Sequence, residues 1–359
     1  MNQHAQELFC TLLNLFKSSD LKNSFKEFMA LFLKGDGRPH PHHASGKSPA
    51  ALSRFLNRYN WNARSLMRQT RQQVLRSLFA HQQKQRGRRP LVRVMLDLTT
   101  LEKTGRFEQL GLVHILNKKR GMHVVVMYLM LGPVRVPWSF RVWRGKGEAS
   151  ASTLALKLLR QLPKVLTLRY RVLVLADGGF GTVDFLEGVK ALGLEAVVGM
   201  RCDRRLEDGR QLQEVRSGER VIPEGLSFPV TAACYYLKRD GKREKRMVVA
   251  TFRASGRVIS RWGRRRWRIE AFFKTSKSRF GLARFGQQTR QGVYRFLMLS
   301  LLAFVLTQWQ TWELPEGVWP NWQDAAMSVR RMLLPQLVHD ELLLELQRLR
   351  PYLEAGGAS

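Results

Sequence analysis

Acidic residues, cysteine and long apolar runs are what this chain has least of, and each shortage removes a class of protein. Only 28 Asp and Glu stand against 61 Lys and Arg, a formal net charge of +33. Such a chain repels itself at low salt and attracts polyanions. Nucleic acid is therefore the expected partner and an anionic membrane surface the second, while an enzyme for small neutral metabolites does not fit. The three cysteines, Cys10, Cys202 and Cys234, form no CxxC pair. Neither a zinc ribbon nor a disulfide framework is expected, and the thiols suit a reducing cytoplasm. The longest apolar run, Phe296 to Trp309, falls short of the roughly 18 residues a membrane span needs and reads as a buried helix. The opening MNQHAQELF carries no cationic stretch of the kind that begins a secretory signal. A cytoplasmic, nucleoid-associated protein with no membrane partner is the expectation.

What is present supports a folded chain. A hydrophobic fraction of 44% and an aromatic fraction of 10% suffice for a packed core and exclude a basic disordered tail. Residues 1–88 read as helices. Leu8, Phe9, Leu12, Leu13 and Phe16 recur at helical spacing, as do Phe25, Phe28, Met29 and Phe32. Asp20 is placed to cap the second helix and Gly35 to end it. Ser48-Pro49 supplies an N-cap followed by proline at the first helical position. A break at Asn60-Trp61-Asn62 opens a helix bearing Arg64, Arg68, Arg71 and Arg76. Helix, turn and basic helix point to a DNA-binding helix-turn-helix in residues 1–88, ahead of a plain helical bundle with a solvated basic face.

After the linker HQQKQRGRRP (81–90) the periodicity changes. LVRVMLDLTT (91–100), HVVVMYLML (123–131), VRVPWSFRVW (134–143), RVLVLAD (171–177) and LGLEAVVGM (192–200) read as strands, with a helix from Ala149 to Leu162 between them. Strands of both kinds interleaved with helices predict a mixed α/β sheet. Residues 201–257 form a β-rich insertion, with an Asp-Gly turn inside KRDGKREK predicting a hairpin. Residues 258–310 are helical again, and 311–359 form a helical C-terminal region. His40, His42 and His43 lie in a turn-rich linker with no acid or cysteine spaced to complete a metal site, and His114 and His123 read as packing or surface residues.

Three acids stand out by position. Asp97 is expected at the end of the first buried strand. Asp177 ends RVLVLAD and precedes Gly178-Gly179-Phe180, a turn that exposes its side chain. Glu270 is the single acid between Arg257 and Arg295, among twelve Lys and Arg. Acids at strand ends stand side by side and suit hard-oxygen coordination of Mg²⁺, with an acid from a packed helix completing a two-metal site. Singly, a strand-end Asp is more often a turn former and a helical Glu an ion-pair member; the order and setting of all three shift the balance. Glu102, Glu108, Asp184 and Glu187 are near enough to serve instead and rank below. Arg266, Glu270, Lys274 and Lys277 fall on one helical face. RWGRRRWR (261–268), with Trp262, Arg264, Arg265 and Arg268, is the best basic–aromatic surface for DNA.

WGRRRWRIEAFFKTSK resembles the tyrosine–arginine–glutamate–lysine (YREK) signature of DDE transposases of the insertion-sequence-four superfamily, matched by Arg266, Glu270 and Lys277. LDLTTLEKTG around Asp97 and VLADGGFG around Asp177 resemble the segments holding the two aspartates, so the likeness spans about residues 91–310. It implies a ribonuclease-H-like core (89–200 and 258–310) in which Asp97, Asp177 and Glu270 bind two Mg²⁺ or Mn²⁺ ions. It implies cleavage at transposon ends and transfer of 3′-hydroxyls into target DNA, with Arg266 and Lys277 on phosphates. The partners implied are double-stranded DNA, as terminal inverted repeats and as target, and a second copy of the chain in a synaptic complex. The signature's tyrosine falls on Gly263, with Trp262 one residue earlier. Relatives that form hairpin ends hold a flipped base on an aromatic; here Tyr235 or Tyr236 are the weak candidates, and hairpin formation stays open. Two other readings remain: a DNA-binding regulator or inactive descendant without chemistry, and a metal-dependent nuclease lacking strand transfer.

Overall fold

The structure, a computed structural model of the chain, describes residues 2–82, 89–105, 107, 110–132, 134–239, 242–312 and 320–356. It divides into two units, one of residues 1–83 with 274–359 and one of residues 84–273. The Asp-Gly turn, most of the 81–90 linker and Glu108 lie outside the described residues.

The first unit begins with α1 (Asn2–Leu13), α2 (Ser19–Phe32), α3 (Pro49–Asn57) and α4 (Ala63–Gln82). The apolar spacing works as expected: Leu8, Leu12, Phe25, Phe28 and Phe32 are all buried. The cap of α2 is Ser18 rather than Asp20. Ser18 has the extended backbone an N-cap needs and its hydroxyl accepts from the Leu21 N–H, while Asp20 sits in the first turn, where a carboxylate complements the helix dipole. Ser48 caps α3 with Pro49 at the first position, as expected.

The second unit is built on one nine-stranded mixed sheet. Its strands are β1 (Leu91–Glu102), β2 (His114–Leu116), β3 (Lys119–Leu131), β4 (Val134–Val142), β5 (Arg171–Ala176), β6 (Glu195–Met200), β7 (Arg220–Val221), β8 (Val230–Arg239) and β9 (Lys242–Ala250). The order is β2-β3-β1-β5-β6-β9-β8-β7, with β4 also on β3. β1, β5 and β6 are parallel to one another, and β3 is antiparallel to β1 and to β4. The sheet is mixed, as the ribonuclease-H-like expectation requires. β8 and β9 extend this same sheet beyond β6, so the β-rich segment 201–257 continues the core sheet. β2 went unforeseen. It turns into β3 through Asn117 and Lys118, both at positive φ, the backbone of a tight two-residue hairpin. In β4, Trp138 is the extra residue of a bulge beside Pro137, which has no N–H to give the ladder.

Helices α5 (Ala151–Leu159), α6 (Lys164–Arg169) and α7 (Val183–Ala191) follow the strands. Then come α8 (Gly256–Arg265) and α9 (Arg268–Ser278). The sequence reads as continuously helical here; the structure breaks the helix at Arg266 and Trp267, where the N–H groups of Ile269 and Glu270 bond three residues back. α9 runs out of the second unit after Phe273.

The first unit is completed by α10 (Arg290–Thr311), α11 (Trp322–Leu333) and α12 (Pro335–Gly356). Among the described residues, α10 alone is long and apolar enough to cross a membrane, yet 94% of its apolar window is buried. The α3–α4 turn packs on it. Trp61 stacks on Phe55 with ring centroids 4.9 Å apart, donates its indole N–H to the Phe55 carbonyl at 2.7 Å, and lies under the Arg295 guanidinium.

A carboxylate cavity and its basic neighbour

Parallel pairing brings two of the acids together. Leu96 is in register with Ala176, so Asp97 and Asp177 follow side by side. Asp177 stands just past the end of β5, but β1 runs on to Glu102 with Asp97 opposite Val126 of β3, so the strand end expected at Asp97 is a mid-strand position. The turn after Asp177 lies flat on the end of β6. A Cβ at Gly199 would stand 2.6 Å from the Gly178 nitrogen, so glycine is required for the two backbones to approach. Asp177 does serve as a turn former: its Oδ1 accepts from the Gly179 N–H at 3.0 Å. That bond also fixes the direction of the carboxylate.

Glu270 arrives from α9, which Phe272 holds against β3 by stacking on Tyr128 at 4.6 Å. The acids meet around one cation. Arg266 donates to Asp97 Oδ2 at 3.1 Å and stands 3.6 Å from Glu270 Oε1. Asp97 is buried and also accepts from the Leu98 N–H. Its carboxyl is pushed up to about 7, first by desolvation and then by the Asp177 charge; Arg266 and the Leu98 bond pull it down, and Glu270 adds to the rise.

A cavity of about 250 Å³ opens here, lined by Asp177, Glu270, Arg266, Trp267, Arg246 and Tyr235 among others. Trp267 is 43% exposed and forms part of this wall; Phe272 and Phe273 are buried. Among the described residues, no three His, Cys, Asp or Glu side chains are close enough to hold a metal ion together. The donor chemistry nevertheless suits a hard divalent cation. Asp177 and Glu270 both lie near enough to raise the pKa of Asp97, and Arg266 offsets their charge there.

Arg264, Arg265 and Arg268 line a second cavity of about 550 Å³ with Arg257, Arg261, Ser260 and Cys234. Arg265 covers the Trp262 ring at 4.8 Å, so this tryptophan supports the basic face and does not line the carboxylate cavity. Lys274 is exposed farther along α9, and Lys277 lies in its last turn. The alternative acids are engaged elsewhere: Glu102 pairs with Lys119, and Glu187 accepts from the Ser227 N–H. His123 is buried between Thr100 and the His114 carbonyl, a packing residue. Sequence reasoning overlooked Arg246 and Arg257. Arg257 carries a readable signal, since it extends the basic segment that opens at Arg261 by four residues along α8.

A family model described as "Transposase DDE domain" matches residues 78–306. A comparison with curated proteins returns no match. Among solved structures, one described as a piggyBac transposase synaptic complex with hairpin DNA aligns over 95% of this chain and 79% of its own, at 11% identity and a TM-score of 0.46.

Proposed function

The chain belongs to the transposase DDE domain family, and from that premise we propose that it is a cut-and-paste DNA transposase of the insertion-sequence-four type. On this reading it cleaves phosphodiester bonds at element ends and joins the 3′-hydroxyls to target DNA. The observation that supports the reading is that Arg266 bridges Asp97 and Glu270, while Asp177, Glu270 and Arg266 line one cavity.

Asp97, Asp177 and Glu270 would hold two Mg²⁺ or Mn²⁺ ions. When bound, such ions supply Lewis acidity at the phosphoryl oxygens and a hydroxide or alkoxide nucleophile at neutral pH. The protein's own residues do the rest. Backbone N–H groups of Gly179 and Leu98 aim the two aspartates. Asp97 must be ionised to act as a ligand, which its elevated pKa makes a condition near neutrality. Once released from the acids, the Arg266 fork matches two phosphate oxygens. Lys274, Lys277 and the arginines of α8 hold the flanking duplex through phosphates, a sequence-independent contact that weakens steeply with salt. Two ends must be cut and joined together, so a homodimer is the working assembly, acting on DNA in the cytoplasm.

The test uses the full chain and a duplex carrying the inverted repeats that bracket its gene. With Mn²⁺, wild type is expected to nick and join this DNA, and Asp97→Ala to lose cleavage by about 10³-fold or more, the loss of a metal ligand. Full cleavage by both Asp97→Ala and Glu270→Ala would overturn the assignment. Nicking without joining would identify a nuclease, and absence of Mn²⁺ binding a DNA-binding protein without chemistry.

A further inference from the structure

The signature position left without a side chain has a physical explanation. Gly263 faces the ring of Tyr235, which comes from β8. A Cβ at Gly263 would stand 2.8 Å from Tyr235 Cε1 and 3.0 Å from Val248 Cγ1, so no larger residue fits while the ring is there. The Ser260 hydroxyl donates to the Cys234 carbonyl at 2.8 Å, fixing α8 along β8 one residue before the tyrosine. Gly263 is thus a socket, and Tyr235 fills it.

The ring points its polar end at the carboxylate cavity. Tyr235 is only 6% exposed, yet it lines that cavity with Asp177, Arg246, Arg266, Trp267 and Glu270. The Trp267 indole interacts with its hydroxyl. An indole N–H can only donate, so the phenol oxygen takes the acceptor role there and keeps its own proton to give. Burial raises the phenol above its ordinary pKa, against the opposing pull of Arg266, Arg246, Trp267 and Arg264, and it is a neutral O–H donor at physiological pH. A neutral donor beside Arg246 and Arg266 in one cavity can meet an anion there.

Resting on the transposase reading above, the geometry points to Tyr235 as a DNA-contacting residue that supplies from β8 the phenol its signature segment lacks, donating its O–H to a phosphodiester oxygen held in the carboxylate cavity. This role is hydrogen bonding to phosphate, separate from any stacking of a base.

The experiment is single-turnover cleavage, in Mn²⁺, of a fluorescein-labelled duplex taken from the DNA flanking the gene. Tyr235→Phe keeps the ring on Gly263 and removes only the hydroxyl. It is expected to cleave about 10- to 100-fold more slowly, the worth of one hydrogen bond to a charged group, with an unchanged melting temperature. Gly263→Ala displaces the ring, and adding it to Tyr235→Phe is expected to cost little more, because both act on one hydroxyl. Cleavage by Tyr235→Phe at the wild-type rate overturns the inference, as do additive losses in the double variant. Asp97→Ala run in parallel separates the two failures. If it cleaves normally the transposase reading falls; if it is inactive while Tyr235→Phe is unimpaired, only the role of Tyr235 falls.

Discussion

Arg295 in the helical unit and Arg266 in the sheet unit are both withdrawn from solvent, but their partners differ in kind. Arg295 donates to the carbonyls of Phe55, Leu56 and Trp61 at 3.2, 2.9 and 2.7 Å and rests on the Trp61 ring at 4.2 Å. Among the described residues no carboxylate stands within ion-pair distance of it. Two of those carbonyls end α3, where helix geometry leaves acceptors unused and the dipole welcomes a cation. Burial lowers this guanidinium to about 10, so it stays charged. Arg266 instead faces two acids, Asp97 and Glu270. Backbone carbonyls take a hydrogen-bond donor and bind no exchangeable ion here, and the Trp61 indole shares only that of Phe55, so Arg295 is a permanent staple. Carboxylates serve any cation, which makes Arg266 a placeholder.

The contrast is broken most directly by removing each cation. Arg295→Met takes the guanidinium from the Leu56 and Trp61 carbonyls and leaves that of Phe55 only the Trp61 indole, and urea unfolding should show a loss of about 3–5 kcal/mol. Arg266→Gln at pH 6 should lose much less, since Asp97 takes up a proton in its place; equal losses would refute the distinction. A second test titrates the acid itself. Asp97 rises from 3.8 to about 7 on folding. A raised carboxyl means the folded state binds the extra proton, so stability falls as pH climbs through that window. Asp97→Asn should therefore be more stable than wild type above pH 7, by about 1–3 kcal/mol, with the advantage gone below about pH 4. Thermal melts across pH decide it.

Calorimetry sharpens the placeholder idea. Arg266→Gln should bind Mn²⁺ about tenfold more tightly than wild type, because a resident cation no longer competes. Unchanged or weaker binding would mean that Arg266 supports the site rather than occupying it. The smallest effect concerns arginines with neither kind of partner. Arg257 and Arg261 are exposed on α8 and lack any carboxylate within ion-pair distance among the described residues. Changing each to Gln should leave stability within about 0.5 kcal/mol and lower the slope of log affinity against log salt by about 0.9 per residue.

Much of this arrangement is legible in the sequence, for identifiable reasons. RVLVLAD and LVRVMLD are nearly unbroken apolar runs because parallel strands are buried on both faces, and each run stops at one of the two aspartates, although β1 itself continues to Glu102. Glu270 is visible because it is alone among bases. The α8–α9 joint is not visible, since a two-residue 3₁₀ step leaves the helical periodicity intact on either side. The bond from Arg266 to Asp97 spans 169 positions, and nothing local in either segment encodes it. Tyr235 and Gly263 likewise meet only once α8 is laid across β8. Ser18 displaced Asp20 as a cap because both residue types can cap a helix, and backbone geometry chooses between them.

The interrupted path of the chain through its two units has a consequence during synthesis. The N-terminal helices leave the ribosome first, but α10, which carries their buried arginine, is made only after the whole sheet unit. β6 similarly waits for β9 to cover its edge, with β7 and β8 translated in between. Until then an apolar strand edge and an unfinished helical core stand open together, the condition in which nascent chains mispair or recruit chaperones. The same delay keeps Glu270 away from the two aspartates until translation is nearly three-quarters complete, so a truncated product would possess DNA-attracting charge without an assembled cutting centre.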